Sequence, residues 1–173
     1  MKKTKKTKIV TYPTKLNIKE NFLEESVFED IRNTIVSNTF AWFLQNEQNE
    51  FANDGFFFAH KLYDGDHINS ASFNSIVPAL KNKIKYQSLR RCSINLSTTP
   101  NNKSIFHTDY KDNKVTTGIL YINENDGCTE FKTGEKIQSV PNTFVEFPSG
   151  LMHRSISQTD NNYRIVLNIN YYK

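Results

Sequence analysis

Apolar residues in the first half of the chain recur at two different spacings. Over residues 24–44 they fall near the i, i+3 and i+4 positions of an α-helix, which predicts a helix. The aromatic segment 56–62 lies between two Asp-Gly pairs and predicts a short buried strand. Residues 72–84 return to helical spacing, with Pro78 either in the first turn or kinking the helix.

The second half of the chain changes to short segments separated by turn-forming residues. The predicted strands are residues 89–97, 104–108, 115–123, 128–132, 136–140, 143–147, 154–158 and 163–172. Many short strands after two helices favour helices packed against an antiparallel sandwich or jelly roll. We therefore predict a mainly β protein with flanking α-helices.

The chain has 173 residues, which predicts one domain. Hydrophobic residues make up 37% of it and include thirteen Phe and eight Tyr, enough for a substantial core. Within residues 1–173 we predict a basic N-terminal segment over 1–20, helical support over 21–88 and a jelly-roll core over 89–173.

The formal charge of +4 is concentrated in part near the N-terminus, where five lysines lie within residues 2–8. A solvated terminus explains them, and a nucleic-acid-binding arm is the alternative, although no basic aromatic patch accompanies it. No segment has the apolar length of a membrane span, and the lysines precede no signal-peptide core. Two cysteines form no disulfide framework, so we expect reduced thiols and a cytoplasmic location.

Three residues are candidate metal ligands. His107 and Asp109 are two positions apart, so on a strand they would share one face. His153 follows 44 residues later, a separation that lets a few strands run out and back. Two imidazoles and one carboxylate can hold iron(II) by one face and leave the other open. The alternative is a surface turn with a salt-linked histidine.

Arg164 begins the last predicted strand and shares one face with Val166, Asn168 and Asn170. A polar face with an arginine suits a wet barrel interior, where the guanidinium could bind a carboxylate through two hydrogen bonds. A strand-end arginine in solvent is the alternative. Tyr121 ends an earlier strand, and its hydroxyl needs a partner: the far carboxylate of a small diacid or a backbone group.

These residues, in their order and spacing, resemble those of the Fe(II)/2-oxoglutarate-dependent dioxygenases. The resemblance is to the prolyl-4-hydroxylase-like branch, in a short form found in marine phages and bacteria. It covers residues 89–172 and extends plausibly over the N-terminal helices. Its motifs are His107-x-Asp109, Ile119-Leu120-Tyr121-Ile122-Asn123, Gly127-Cys128-Thr129-Glu130-Phe131, Val140-Pro141-Asn142, Val145-Glu146-Phe147, His153 and Arg164.

The resemblance implies a double-stranded β-helix (a jelly roll, cupin-like) that binds iron through His107, Asp109 and His153. It implies 2-oxoglutarate and dioxygen as co-substrates, with ascorbate as a candidate reductant. Arg164 and Tyr121 would bind the far carboxylate of 2-oxoglutarate. This chain departs from the pattern in two places: Cys128 replaces a glycine, and Asn95 lies where a co-substrate tyrosine is common.

Asn95 and Ser155 are further candidate contacts to the co-substrate, because Asn95 lies on the strand before the first ligands and Ser155 shares a face with His153. Two other functions stay open at this point, a zinc-dependent cupin-like enzyme and a non-catalytic barrel. The substrate is a protein or peptide residue such as proline, a nucleobase or a small metabolite. The oligomeric state cannot be inferred from the sequence, and a phage-encoded protein would act in the host cytoplasm.

Overall fold

A computed structural model describes residues 16–45 and 56–173 of the protein. The predicted basic segment therefore lies largely outside the described residues. In chain order the elements are β1 (Asn17–Lys19), α1 (Glu25–Val36), β2 (Phe43–Gln45), β3 (Phe57–Asp64), β4 (His67–Ile68), α2 (Phe73–Ile84), β5 (Ser88–Ser97), β6 (Val115–Tyr121), β7 (Asn125–Phe131), β8 (Lys136–Ser139), β9 (Phe144–Pro148), β10 (His153–Ile156) and β11 (Arg164–Tyr172).

The strands form two antiparallel sheets. The larger sheet has the order β1-β9-β6-β11-β5-β3-β2, with β4 paired to β3. The smaller sheet has the order β10-β7-β8. Neighbours in the larger sheet are mostly distant along the chain, as in a jelly roll. The predicted class, mainly β with flanking helices, is confirmed.

Strand β11 lies in the middle of the larger sheet and contributes to both of its faces. Ile165, Leu167 and Ile169 face a core that the two helices complete from one side. Helix α1 contributes Phe28, Ile31 and Ile35, and α2 contributes Ile76, Val77, Leu80 and Ile84. Val166 faces the second core, between the sheets. The alternation of β11 thus separates a helix-covered face from the face that lines the interior.

The predicted helix over residues 24–44 is wrong in its last third. Helix α1 ends at Val36, and Ser37 is extended, with its hydroxyl donating to the Thr34 carbonyl oxygen. Phe43 and Leu44 belong to edge strand β2 and are 57% and 55% exposed. Their helical spacing from α1 was coincidental, because they do not contribute to the apolar face that α1 buries.

One other prediction requires correction. Residues 104–108 form no continuous strand, and the pairing there is by isolated bridges at Lys103 and His107. The strand predicted over residues 56–62 is present as β3, which pairs with β5. Segment 21–88 contains this strand together with α1, α2, β2 and β4. Of the two positions considered for Pro78, the structure places it inside α2 and not in the first turn.

Candidate metal centre

The structure brings the three candidate ligands together. His107 and His153 face each other in an isolated antiparallel bridge, in which each backbone N–H donates to the other residue's carbonyl at 2.9 Å. Asp109 follows two residues later, and its Oδ1 lies 3.8 Å from each histidine Nε2. One ligand atom from each residue lies within 4.8 Å of the other two. One ion between them could therefore contact all three residues.

Backbone carbonyls fix the tautomers of both histidines. His107 Nδ1 lies 3.1 Å from the Ile105 carbonyl oxygen, and His153 Nδ1 lies 2.9 Å from that of Leu151. A carbonyl oxygen only accepts, so each Nδ1 carries the proton and each Nε2 keeps a free lone pair. Burial lowers the pKa of His153, although the Asp109 charge opposes the effect. His153 is therefore neutral near pH 7, as a metal ligand must be.

Asp109 is held by one carboxylate oxygen while the other faces the histidines. Thr117 Oγ1 donates to Oδ2 at 2.9 Å, and Asn170 Nδ2 donates to the same oxygen at 2.8 Å. Burial alone would raise the pKa of Asp109, but the nearby His153 and Arg91 side chains and the Asn170 hydrogen bond outweigh it and leave that pKa lowered. The carboxyl group is therefore ionised and oriented before any ion arrives.

Thr117 and Ser149 extend this support. The Thr117 hydroxyl also contacts Ser149 Oγ at 2.7 Å and accepts from Asn170 Nδ2 at 2.9 Å. Because Thr117 has one proton and donates it to Asp109, Ser149 must be the donor in their contact. The Thr117 side chain is fully buried. Ser149 therefore donates to Thr117, and Thr117 donates to the Asp109 carboxylate.

Arg164 is buried without a carboxylate partner among the described residues. It is 3% exposed, and each of its three guanidinium nitrogens donates to a hydroxyl group: Nε to Ser139 Oγ at 2.8 Å, Nη1 to Ser155 Oγ at 3.0 Å and Nη2 to Thr129 Oγ1 at 3.3 Å. Burying a cation is unfavourable unless it is paired, so an anionic ligand would complete this site.

Tyr121 lies beside Arg164, with the guanidinium carbon 5.7 Å from its ring centroid. Its buried hydroxyl lies 2.9 Å from Thr129 Oγ1 and 3.4 Å from the Ile137 carbonyl oxygen. Burial raises the pKa of Tyr121 to about 12, so the hydroxyl keeps its proton. The structure thus places Tyr121 behind Arg164 and Thr129, and Thr129, unlike Tyr121, lines the cavity.

One cavity of about 330 Å³ connects the two parts of the site. His107, Asp109 and His153 line it together with Arg164. Asn95 and Ser155, the two weaker candidates, also line it. Ser155 accepts from Arg164, whereas Asn95 accepts from Ser93 Oγ at 3.0 Å. Every sequence-predicted site residue except Tyr121 is therefore in the cavity wall.

Several supporting residues were missed by the sequence analysis. They are the side chains that hold the ligands and the arginine: Thr117, Thr129, Ser139 and Ser149. The sequence did point to Asn170 as a residue of the site, since it shares the polar face of the last strand with Arg164. The others are single hydroxyl residues in apolar or turn segments, and nothing local distinguishes them.

No helix in the described ranges, 16–45 and 56–173, is long and apolar enough to cross a membrane.

Neither a protein-family model nor a curated protein sequence matches the chain. Solved structures do. A Pseudomonas putida prolyl-4-hydroxylase matches at 15% identity with a TM-score of 0.57, covering 91% of this chain and 92% of that one. A Trichoplax adhaerens prolyl hydroxylase, in complex with a hypoxia inducible factor oxygen degradation domain peptide fragment, matches at 15% identity with a TM-score of 0.65, covering 91% and 83%.

A third solved structure is the non-heme alpha ketoglutarate dependent epimerase SnoN from nogalamycin biosynthesis. It matches at 8% identity with a TM-score of 0.63, covering 91% of this chain and 77% of that one. At these identities the likeness concerns the fold. The chain has the fold of the prolyl hydroxylases and related 2-oxoglutarate-dependent oxygenases.

Proposed function

We propose that the protein is an Fe(II)- and 2-oxoglutarate-dependent dioxygenase that hydroxylates a C–H bond of a protein or peptide residue such as proline. One observation carries the proposal. A ready set of two imidazoles and one carboxylate shares a single cavity with a buried arginine that has no anionic partner among the described residues.

The donor set fits iron(II). Both Nε2 lone pairs and Asp109 Oδ1 are free, whereas the other polar atoms of the three side chains are engaged in hydrogen bonds. Two histidines and one carboxylate on one side of an ion are the set used by non-heme iron oxygenases. A zinc hydrolase would need a general base, and Asp109 is the sole carboxylate among the described residues that line the cavity.

The end of the cavity that contains Arg164 fits a dicarboxylate. Arg164 would bind the far carboxylate of 2-oxoglutarate, with hydroxyls of Thr129 and Ser155 beside it. Tyr121 would orient Thr129 through their hydrogen bond and pack its ring against the guanidinium. Asn95 lies in the cavity wall on β5, where it would contact the co-substrate or the substrate.

Bound iron(II) supplies the activation of dioxygen, coupled to the conversion of 2-oxoglutarate to succinate and carbon dioxide, with ascorbate as a candidate reductant. The chain's own residues hold and orient the reactants. His107, His153 and Asp109 would hold the ion, and Arg164 would set the direction in which the co-substrate lies.

The peptide substrate is supported by the Trichoplax neighbour, whose structure contains a peptide fragment. Nucleobases and small metabolites are the other substrate classes. The epimerase among the neighbours shows that this fold serves more than one reaction outcome, so the product must be identified chemically.

The experiment is an anaerobic titration followed by turnover. Purified protein with Fe(II) and 2-oxoglutarate should develop a visible charge-transfer band that Zn(II) does not give, and admitting dioxygen should release succinate. His107→Ala and Asp109→Ala should lose both signals. His67→Ala is the matched control, because His67 is exposed and outside the cavity wall. An Asp109→Ala protein that retains full activity would refute the proposal.

A further inference from the structure

A second arginine, Arg91, enters the same cavity near the metal site. On β5 the cavity-lining residues are Arg91, Ser93, Asn95 and Ser97. Arg91 Nε donates to Asn170 Oδ1 at 3.0 Å, and its Nη2 lies 3.7 Å from Asp109 Oδ1. Its side chain is 27% exposed. The guanidinium therefore has one fixed hydrogen bond, lies near the Asp109 carboxylate and the Tyr110 ring, and borders the cavity.

The charges around Arg91 do not balance once the metal site is filled. Within the described part of the chain its ion-pair partner is Asp109, through the same oxygen that faces both histidine Nε2 atoms. An iron ion would take that oxygen. Of the other cavity cations, Lys61 pairs with Asp64 at 3.2 Å and Arg154 pairs with Glu130 at 2.6 Å. Arg164 has no anionic partner among the described residues, but the proposed function assigns it to 2-oxoglutarate.

We propose that Arg91 binds a carboxylate of the substrate. The inference rests on the proposed function and specifies its substrate class. A single guanidinium neutralises one carboxylate and can bind it at two points. A dianionic phosphate would leave excess negative charge beside Asp109. The carboxylate belongs to an acidic side chain, to a peptide C-terminus or to a free amino acid.

The test uses the anaerobic protein loaded with Fe(II) and 2-oxoglutarate. The probes are free amino acids and their amides, together with end-blocked peptides containing Asp or Glu and matched peptides containing Asn or Gln. Binding is followed by calorimetry and by the change in the charge-transfer band, and succinate release is measured after dioxygen is admitted. The free amino acids and the end-blocked acidic peptides separate the sources of the carboxylate.

We expect the probes that bind to carry a carboxylate, and their amide counterparts to bind at least about tenfold more weakly, the loss typical of one charge-assisted contact. In Arg91→Gln this preference for carboxylate over amide should disappear, while the affinity for 2-oxoglutarate stays within about twofold of wild type. Arg91→Lys keeps the charge without the two-point geometry and should retain part of the preference.

Arg90→Gln is the matched control. Arg90 is the adjacent residue, and its guanidinium, like that of Arg91, lies over the Tyr110 ring, but it is outside the cavity wall. It should behave as wild type. Equal binding of carboxylate and amide probes, or binding by neutral probes alone, would reject the inference. So would an Arg91→Gln protein that loses affinity for both probe types equally, since Arg91 would then only position Asp109. Absence of the charge-transfer band would instead reject the proposed function.

Discussion

Replacing Thr117 with valine tests whether the support beneath Asp109 governs metal binding. The side chain is fully buried and valine has nearly the same shape, so the main change is loss of the hydroxyl. That hydroxyl donates to Asp109 Oδ2 at 2.9 Å. A hydrogen bond to a charged group contributes about 1.5–3 kcal/mol, and 1.4 kcal/mol corresponds to about tenfold in affinity.

The effect should lie at the lower end of that range. Asn170 Nδ2 still donates to the same oxygen at 2.8 Å, so the carboxylate keeps one of its two fixed donors. We therefore expect Fe(II) to bind about tenfold more weakly, within the loss usual for residues that support metal ligands. The unfolding free energy of the metal-free protein should also fall, by about 1.5–3 kcal/mol, because the buried Asp109 carboxylate loses one charged hydrogen bond and Ser149 loses one neutral partner.

Anaerobic titration of Fe(II) against a coloured competing chelator measures the affinity, and thermal unfolding of the metal-free protein measures the stability. Thr116→Val is the matched control, since Thr116 is the preceding residue of β6 and is outside the cavity wall. If the Thr117 variant bound iron as tightly as the Thr116 variant, the support argument would be refuted.

Three further changes test other parts of the structure. In Gly127→Ala a Cβ would lie 2.7 Å from Arg164 Cδ and 2.9 Å from the Ile156 carbonyl oxygen, so the Arg164 side chain would have to shift. We expect weaker 2-oxoglutarate binding in calorimetry with Fe(II) affinity unchanged. An unchanged 2-oxoglutarate affinity would contradict this. Asn142→Asp replaces the amide that donates to the Leu23 carbonyl at 2.9 Å and should lower the unfolding free energy by about 1–3 kcal/mol in denaturant titrations, whereas Asn101→Asp, at an exposed position of similar φ, should not. Burial would raise the pKa of Glu146, but hydrogen bonds from Lys173 and Tyr171 outweigh it and lower that pKa. The stabilisation by Glu146 is therefore present above the ordinary glutamate pKa and is lost as the pH falls through the lowered value. Glu146→Gln should flatten this acid-side fall in melting temperature, and an identical pH profile would show that the pairing contributes nothing.

The convergence of the metal ligands followed from the sequence even though the local structure around them did not. Residues 104–108 were predicted as a strand, yet His107 pairs through a single bridge to His153. The prediction survived because the two-residue separation from Asp109 needs only a locally extended backbone. The support beneath Asp109 could not be predicted in the same way. Thr117 meets Asn170 because β6 and β11 pair in one particular register, and their separation along the chain is 53 residues.

Edge strand β2 is a segment whose type of secondary structure was predicted wrongly. Phe43 and Leu44 fit the helical spacing of the preceding segment, and hydrophobicity alone does not distinguish a continued helix from a short strand. The secondary structure of this segment is determined by the end of the helix at Ser37 and by the pairing of β2 with β3. The first depends on local polar contacts, and the second depends on pairing with residues 12 to 16 positions away. A hydrophobic pattern encodes neither.

Strand β11 explains how one short segment can serve the whole site. On its cavity side Arg164 would bind the co-substrate, Asn168 lines the cavity and Asn170 orients the ligand Asp109. The strand is paired on both sides, with β5 and β6, and its other face is fixed in the helix-covered core. A shift of one residue in its register would move all three polar groups into that core at a large desolvation cost. The packing that stabilises the fold therefore also fixes the spacing between the arginine and the metal ligands.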